Sequence, residues 1–121
     1  MWFSSNKPKT ETLRLTLKNV GVVGVTFEGR QEVISKLQPG EKVEFMIVKT
    51  DKATFGEGVQ VWIGGKNVGW LADQSMDSMA YHFRKYSKMG YAPVNATYRV
   101  IGITTRGIEL NIPMEKINVL S

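Results

Sequence analysis

Two adjacent glycines, Gly64 and Gly65, separate two short segments that both favour extended structure. Residues 59–63 (VQVWI) carry valine or isoleucine at every second position, and residues 67–71 (NVGWL) follow the glycines. An alternation with a period of two is typical of a strand that buries one face. A glycine pair between two such strands is a strong hairpin signal. This feature predicts a β-rich fold built from antiparallel pairs.

The same alternation recurs along the chain. Further strands are predicted at residues 12–17, 43–47, 94–104 and 108–112. Around Gly21 the phase of the alternation changes, and the apolar set becomes Val23, Val25 and Phe27. A phase change at a glycine indicates a β-bulge or a break between two strands.

Two helices interrupt the strands. Residues 31–37 have apolar residues at helical spacing for about two turns, and Pro39 and Gly40 end them. A longer helix is predicted from an N-cap at Asp73 to a C-terminal glycine, Gly90. The expected fold is mainly β (α+β), a small OB-like or SH3-like, partly open antiparallel barrel. It has about six strands, one short helix and one longer helix.

At 121 residues the chain has room for one domain. Residues 1–10 are predicted to be a flexible head, residues 11–112 the barrel domain, and residues 113–121 a C-terminal tail or edge strand. Within the head, Trp2 and Phe3 either dock a partner or fold back over the core. No apolar run reaches the roughly 18 residues that cross a bilayer, so no membrane partner is predicted and the cytoplasm is the expected location.

The residue types present argue against catalysis. The chain has no cysteine and one histidine, His82. Thiolate zinc sites and cysteine nucleophiles are therefore excluded, and a catalytic triad or a histidine-rich metal site is nearly so. Asp73 and Asp77 lie one helical turn apart and are interpreted as a solvated first turn favoured by the helix dipole. The sequence predicts a protein that is not an enzyme and uses no cofactor.

Positive charge is the strongest hint of a partner. The formal net charge is +5 and the pI is near 9.6. In a small domain, a pI above about 9 is typical of proteins that bind polyanions, although many basic domains bind no nucleic acid. Several basic residues are spread over predicted loops and strands: Lys49, Lys52, Lys66, Arg99 and Arg106.

The densest basic and aromatic run is residues 81–88, YHFRKYSK, in the longer helix. One interpretation is a ridge in which Arg84, Lys85 and Lys88 face phosphates and Tyr81 stacks on a base. The other is an ordinary amphipathic helix whose last turn is basic because cations suit the negative end of the helix dipole.

Four short motifs follow one another along the chain: VGVTFEG at residues 23–29, LQPG at residues 37–40, VQV at residues 59–61 and VGWL at residues 68–71. In order and spacing they resemble the HIRAN family, and the chain is similar to a stand-alone, bacterial or phage-type member of it. The resemblance covers residues 22–83, about half of the chain. It implies an OB-like barrel that binds single-stranded DNA and captures a free 3′ end between aromatic residues.

Carried over by position, the stacking and capping roles fall on Thr26, Phe27, Glu28 and Trp70, and Arg30 completes this part of the predicted site. The chain departs from the family in two places. Glu28 stands where an aromatic residue is usual, and the loop at residues 51–58 lacks the family's aspartate, for which Glu57 or Asp51 is the nearest substitute.

Two functions follow as expectations. The first is a non-catalytic module for single-stranded nucleic acid, DNA above all, in DNA repair, replication or mobile-element biology. The second is a phage or mobile-element accessory protein, an interaction or inhibitor module that binds a partner protein through its barrel edge or its aromatic N-terminus.

Overall fold

The computed structural model describes the backbone of residues 10–119 and the side chains of residues 14–116. Its strands are β1 (Thr10–Val23), β2 (Val43–Lys49), β3 (Glu57–Ile63), β4 (Lys66–Leu71), β5 (Tyr91–Pro93), β6 (Thr97–Ile101) and β7 (Gly107–Val119). The helices are α1 (Arg30–Ser35) and α2 (Met79–Lys88). The head predicted over residues 1–10 lies outside the described residues, Trp2 and Phe3 included, except for Thr10, which begins β1.

The seven strands are antiparallel and form a curled half-barrel in the order β2-β3-β4-β1-β7-β5, with β6 also paired to β7. The predicted mainly β, partly open barrel with few helices is confirmed. The strand that the sequence did not reveal is β5, which has only three residues and ends at Pro93. Such a short segment is too brief to show an alternation.

One face of the sheet carries the core. Val59, Val61 and Ile63 of β3 are completely buried, as their alternation predicts. Helix α2 covers this face, where the rings of Phe45 and Phe83 lie 4.9 Å apart. The intervening residues of β3, including Trp62, point to the opposite face and are only partly buried. The sheet therefore has a core face under α2 and an outer face that is free of α2.

Strand β1 runs further than predicted at its start and stops earlier at its end. The phase change is a register shift between Leu17 and Val20, where Asn19 takes a left-handed φ of 55°, so a bulge is present two residues before Gly21. The strand ends at Val23. The prediction of a strand through Phe27 is wrong, because Gly24, Glu28 and Gly29 all have positive φ and turn the chain into a loop, the 24–29 loop.

Helix α2 begins later than predicted. Its N-cap is Ser78, whose hydroxyl accepts a hydrogen bond from the backbone N–H of Tyr81 at 3.1 Å. Asp73 is not the cap, because its carboxylate is held by Arg84. The end at Gly90 agrees with the prediction, since Gly90 has a φ of 91°.

Residues 113–119 are not a separate edge strand. They continue β7, pairing with β1 from Pro113 opposite Thr16 to Val119 opposite Thr10. On its other side this part of β7 pairs with β5. In the described part of the chain, neither helix is long and apolar enough to span a membrane.

Candidate nucleic-acid interface

A groove of about 960 Å³ lies on the outer face of the sheet, over β3, β4 and the end of β1. Three aromatic side chains line it: Phe27, Trp62 and Trp70. We call it the aromatic groove. One wall is the 24–29 loop and another is the loop between β2 and β3, which contributes Thr50, Lys52 and Ala53.

Trp70 forms the floor of the aromatic groove. In β4 it lies between Gln60 of β3 and Val23 of β1. Its six-membered ring lies against the backbone of Gly58, where an added Cβ would come within 2.7 Å of Cζ3. Because real Cβ atoms do not approach so closely, only glycine at position 58 leaves room for the indole in this position.

Trp62 lies on the same face as Trp70. Its indole N–H donates to the side-chain oxygen of Gln60 at 3.2 Å, which fixes the orientation of the ring. Trp62 is not among the site residues predicted from the sequence. A signal was present, since a tryptophan on the polar side of an alternating strand places a large apolar ring away from the core.

Phe27 projects from the 24–29 loop, and 66% of its surface is exposed. Arg30 holds this loop. Its guanidinium donates to the carbonyl of Gly24 at 2.9 Å and to the side-chain oxygen of Asn67, in β4, at 2.9 Å. A third bond, to Glu28 at 3.0 Å, completes the set. The sequence placed Arg30 among the nucleic-acid-binding residues. Because Arg30 is buried and its guanidinium is bonded within the protein, it holds the loop that carries Phe27 and presents no free guanidinium to a ligand.

The charge lining the aromatic groove is balanced. Arg30 and Lys52 are offset by Glu28 and Asp73. Glu28 is mostly exposed, but it forms an ion pair with Arg30 at 3.0 Å. That pairing reduces the repulsion that Glu28 would exert on a phosphate. Lys52, in the loop between β2 and β3, is the exposed cation at the rim. Thr26 is exposed in the 24–29 loop but does not line the groove.

Arg84 does not face solvent, contrary to the predicted phosphate-binding ridge. Its side chain is 6% exposed and its guanidinium donates to the backbone carbonyl of Glu57 at 2.6 Å. The same nitrogen lies 3.4 Å from a carboxylate oxygen of Asp73. Arg84 thus joins α2 to the start of β3 and the segment after β4. Sequence spacing gave no sign of these partners, which are 27 and 11 residues away.

The rest of the run in α2 is separated from the aromatic groove. Tyr81 packs near Phe55, with ring centroids 6.3 Å apart. Lys85 is exposed, and Lys88 lies 3.5 Å from Glu57. None of these side chains lines the groove, because α2 packs on the core face. The structure therefore brings together Phe27, Glu28, Arg30 and Trp70, and leaves the α2 residues elsewhere.

Neither Glu57 nor Asp51, the substitutes considered from the sequence, lines the aromatic groove. Besides Glu28, the carboxylate that lines it is Asp73, two residues after the end of β4. One of its oxygens faces Arg84, and the other is buried without a hydrogen-bond partner.

The side chains that the structure describes show no arrangement for metal binding. No group of three His, Asp or Glu residues among them is placed to hold an ion. His82 lies between two aromatic rings, Tyr81 at 5.7 Å and Tyr86 at 6.5 Å. The aromatic groove offers flat apolar surfaces and a few polar groups, which suits binding of a planar ligand.

Comparisons with protein-family models, with curated protein sequences and with solved structures found no match to this chain. The resemblance to the HIRAN family therefore stays a prediction from the motifs in the sequence.

Proposed function

We propose that this protein is a non-catalytic module that binds single-stranded nucleic acid, in particular DNA, in the aromatic groove. The observation that carries the proposal is the placement of Phe27, Trp62 and Trp70 in one open groove on the outer face of a curled sheet. Bases of a single strand stack on such aromatic side chains irrespective of sequence. Partly open barrels of the OB type use a sheet face with its adjoining loops in this way. The HIRAN-like motifs point to the same ligand and to a role in DNA repair, replication or mobile-element biology.

Binding should rest more on stacking than on charge. The net charge of +5 favours approach to a polyanion. Within the aromatic groove, however, Arg30 is engaged by Glu28, and Lys52 is the cation left to meet a phosphate. Affinity should therefore come mainly from the aromatic floor, with electrostatics as the smaller contribution.

The direct test is fluorescence anisotropy of a labelled single strand of about 12 nucleotides, within the usual site size of a small barrel. Binding should also quench tryptophan fluorescence, since Trp62 and Trp70 line the groove. DNA and RNA strands of the same sequence would show the preferred sugar. Absence of binding at low salt would contradict the proposal.

The salt dependence is expected to be shallow. For a single strand, each phosphate that the protein neutralises contributes about −0.7 to the slope of log K against log salt concentration. With Lys52 as the main groove cation, the slope should be about −0.7 to −1.4. Lys52→Ala should reduce its magnitude by about 0.7, measured from about 50 to 200 mM salt. A slope steeper than about −3 would show that several other cations carry the binding.

Substitutions on α2 should have little effect on this binding. Lys85→Ala and Lys88→Ala remove charges that do not line the aromatic groove, so affinity should change by less than about 2-fold at moderate salt. Anisotropy titrations on both variants and on Lys52→Ala measure the affinity for the single strand. A larger loss of affinity for Lys85→Ala than for Lys52→Ala would indicate that the binding surface lies on α2.

A second candidate is a protein-interaction module, and one observation favours it. Strand β2 is an edge of the described sheet, and Met46 and Ile47 are exposed on it. Exposed edges invite pairing with a strand of another chain. If a protein partner is recovered with the wild-type chain, the double variant Met46→Lys, Ile47→Lys should lose it while retaining binding of a single strand. An unaffected complex would place the contact elsewhere.

A further inference from the structure

The turn between β6 and β7 presents apolar side chains to solvent. Ile103, at the centre of this turn, is 91% exposed, the highest value among the large hydrophobic side chains of residues 14–116. Val100 and Ile101, at the end of β6, are also exposed. Exposed apolar residues that occur singly are ordinary, but a cluster on a projecting turn usually marks a contact surface.

The turn is held firmly in its position. Gly102 has a φ of 86°, and a Cβ there would collide with the carbonyl of Thr105, so the bend needs glycine. At the other end of the turn, Gln31 forms a closed pair with the backbone of Arg106. The side-chain amide donates to the Arg106 carbonyl at 2.7 Å and accepts from the Arg106 N–H at 2.8 Å. Ile103 is therefore presented by an anchored turn.

The base of the hairpin is anchored as well. The hydroxyl of Tyr98, in β6, donates to the backbone carbonyl of Gln38. Burial raises the pKa of Tyr98, so the phenol keeps its proton, and with it this bond, throughout the neutral range. The hairpin is thus tied to the rest of the domain along its length.

The β6–β7 turn is next to the aromatic groove. The amide of Gln31 that binds Arg106 also donates to the carbonyl of Val25 at 2.9 Å, in the loop that carries Phe27. The β1–β7 register agrees, because Gly21 lies opposite Glu109. Two residues further on, Val23 lines the groove at the end of β1. The apolar turn and the groove therefore lie at the same end of the sheet.

We propose that the β6–β7 hairpin is a wedge for the junction between single-stranded and double-stranded nucleic acid. Ile103 packs on the exposed face of the last base pair, while one strand passes from that pair into the aromatic groove. Apolar side chains that insert between base steps partly unstack a duplex, and the end of a duplex exposes the same apolar base face. The exposed Arg106, three residues on, is placed to meet a phosphate of the duplex. This inference rests on the proposed function of the groove.

A junction fits these observations better than a lipid surface or a protein pocket. The groove accepts bases only when they are unpaired, because paired bases hide their faces in the stack. A ligand that engages both the groove and a neighbouring apolar point must therefore expose a single strand and a free base-pair face together. A tailed duplex has both.

The experiment compares three probes by anisotropy: a single strand of about 12 nucleotides, a blunt duplex, and a duplex bearing that same strand as a tail. The tailed duplex should bind about 5- to 10-fold more tightly than the single strand, the order expected from partial burial of one isoleucine. A 2-aminopurine at the last base pair should brighten on binding. Ile103→Ser should remove both effects and leave single-strand affinity unchanged.

Met89→Ser is the matched control, because Met89 is an exposed apolar residue at the end of α2, away from the hairpin. It should retain the junction preference. Equal affinity of the wild-type protein for tail and tailed duplex, or an Ile103→Ser variant that keeps the preference, would overturn the wedge. The wedge would also be overturned if Ile103→Ser weakened binding to all three probes equally. The same holds if Ile103→Ser lost binding to phosphatidylserine vesicles but bound the DNA probes like the wild type. Failure to bind the single strand at all would instead refute the proposed function.

Discussion

Arg84→Ala is expected to lower the free energy of unfolding by about 3 kcal/mol, the lower end of the range for breaking a buried ion pair. The guanidinium is 6% exposed and Asp73 is 11% exposed, so removal of the cation leaves a carboxylate with little access to water. The carbonyl of Glu57 loses its donor in the same step. The lower end of the range applies because Asp73 keeps some contact with solvent. For a domain of ordinary stability, about 5–15 kcal/mol, this is a large fraction.

Urea unfolding followed by tryptophan fluorescence and far-UV circular dichroism measures the change. Lys85→Ala is the matched control, since Lys85 is the next residue on α2 and is exposed; it should change stability by less than about 0.5 kcal/mol. Arg84→Lys should recover only part of the loss, because one ammonium cannot reproduce the fork of donors of a guanidinium. A loss below about 1 kcal/mol for Arg84→Ala would show that Asp73 finds another partner or water.

The strands that could be predicted are those whose pattern is local. Alternation in residues 59–63 and the glycines that follow specify both the β3–β4 hairpin and which residues of β3 face the core. The end of β1 could not be placed in this way. Val25 and Phe27 continue the alternation, but Gly24, Glu28 and Gly29 adopt positive φ, and the loop is then fixed by Arg30. The bond from Arg30 to Asn67, in the distant strand β4, thus overrides the local pattern.

The sequence predicted only part of the candidate site, because some of its contacts join residues that are distant in the chain. Phe27 and Trp70 do line one groove, and Trp62 joins them because β3 and β4 are neighbours in the sheet. The basic residues were harder to place. The sequence placed Arg30 and Arg84 among the nucleic-acid-binding residues, yet their partners Asn67 and Glu57 lie 37 and 27 residues away. An arginine can be buried only where the fold supplies acceptors for its donors, and the local sequence does not show those acceptors.

The internal bonds of Arg30 and Arg84 change the expected chemistry of ligand binding. Both act inside the structure, one holding the 24–29 loop and one holding α2. The aromatic groove is left nearly neutral, and its tryptophans have geometry fixed by Gly58 and Gln60. A rigid aromatic floor loses little conformational entropy when a base stacks on it. Substitution of the aromatic residues should consequently reduce affinity more than substitution of any single cation.

Phe27→Ala and Trp70→Ala should each weaken single-strand binding by about 5- to 150-fold, since stacking on one aromatic side chain contributes about 1–3 kcal/mol. Phe27→Ala is the cleaner test, because Phe27 is 66% exposed and its removal should leave the midpoint of urea unfolding unchanged. Anisotropy titrations at one fixed salt concentration measure the affinities. Phe55→Ala is the control, since Phe55 is an exposed phenylalanine that does not line the groove.

Gly58→Ala tests the position of the Trp70 ring without removing it. No positive φ stands in the way of alanine at this position, but the new methyl group would lie 2.7 Å from Cζ3 of Trp70, so the indole must move from its place over the strand. Single-strand affinity should fall toward that of Trp70→Ala, and the tryptophan emission maximum should shift. If Gly58→Ala shifts the emission but leaves affinity intact, stacking on Trp70 is not the source of binding. If Phe27→Ala and Trp70→Ala also bind like the wild type, the ligand occupies another surface and the aromatic groove loses its proposed role.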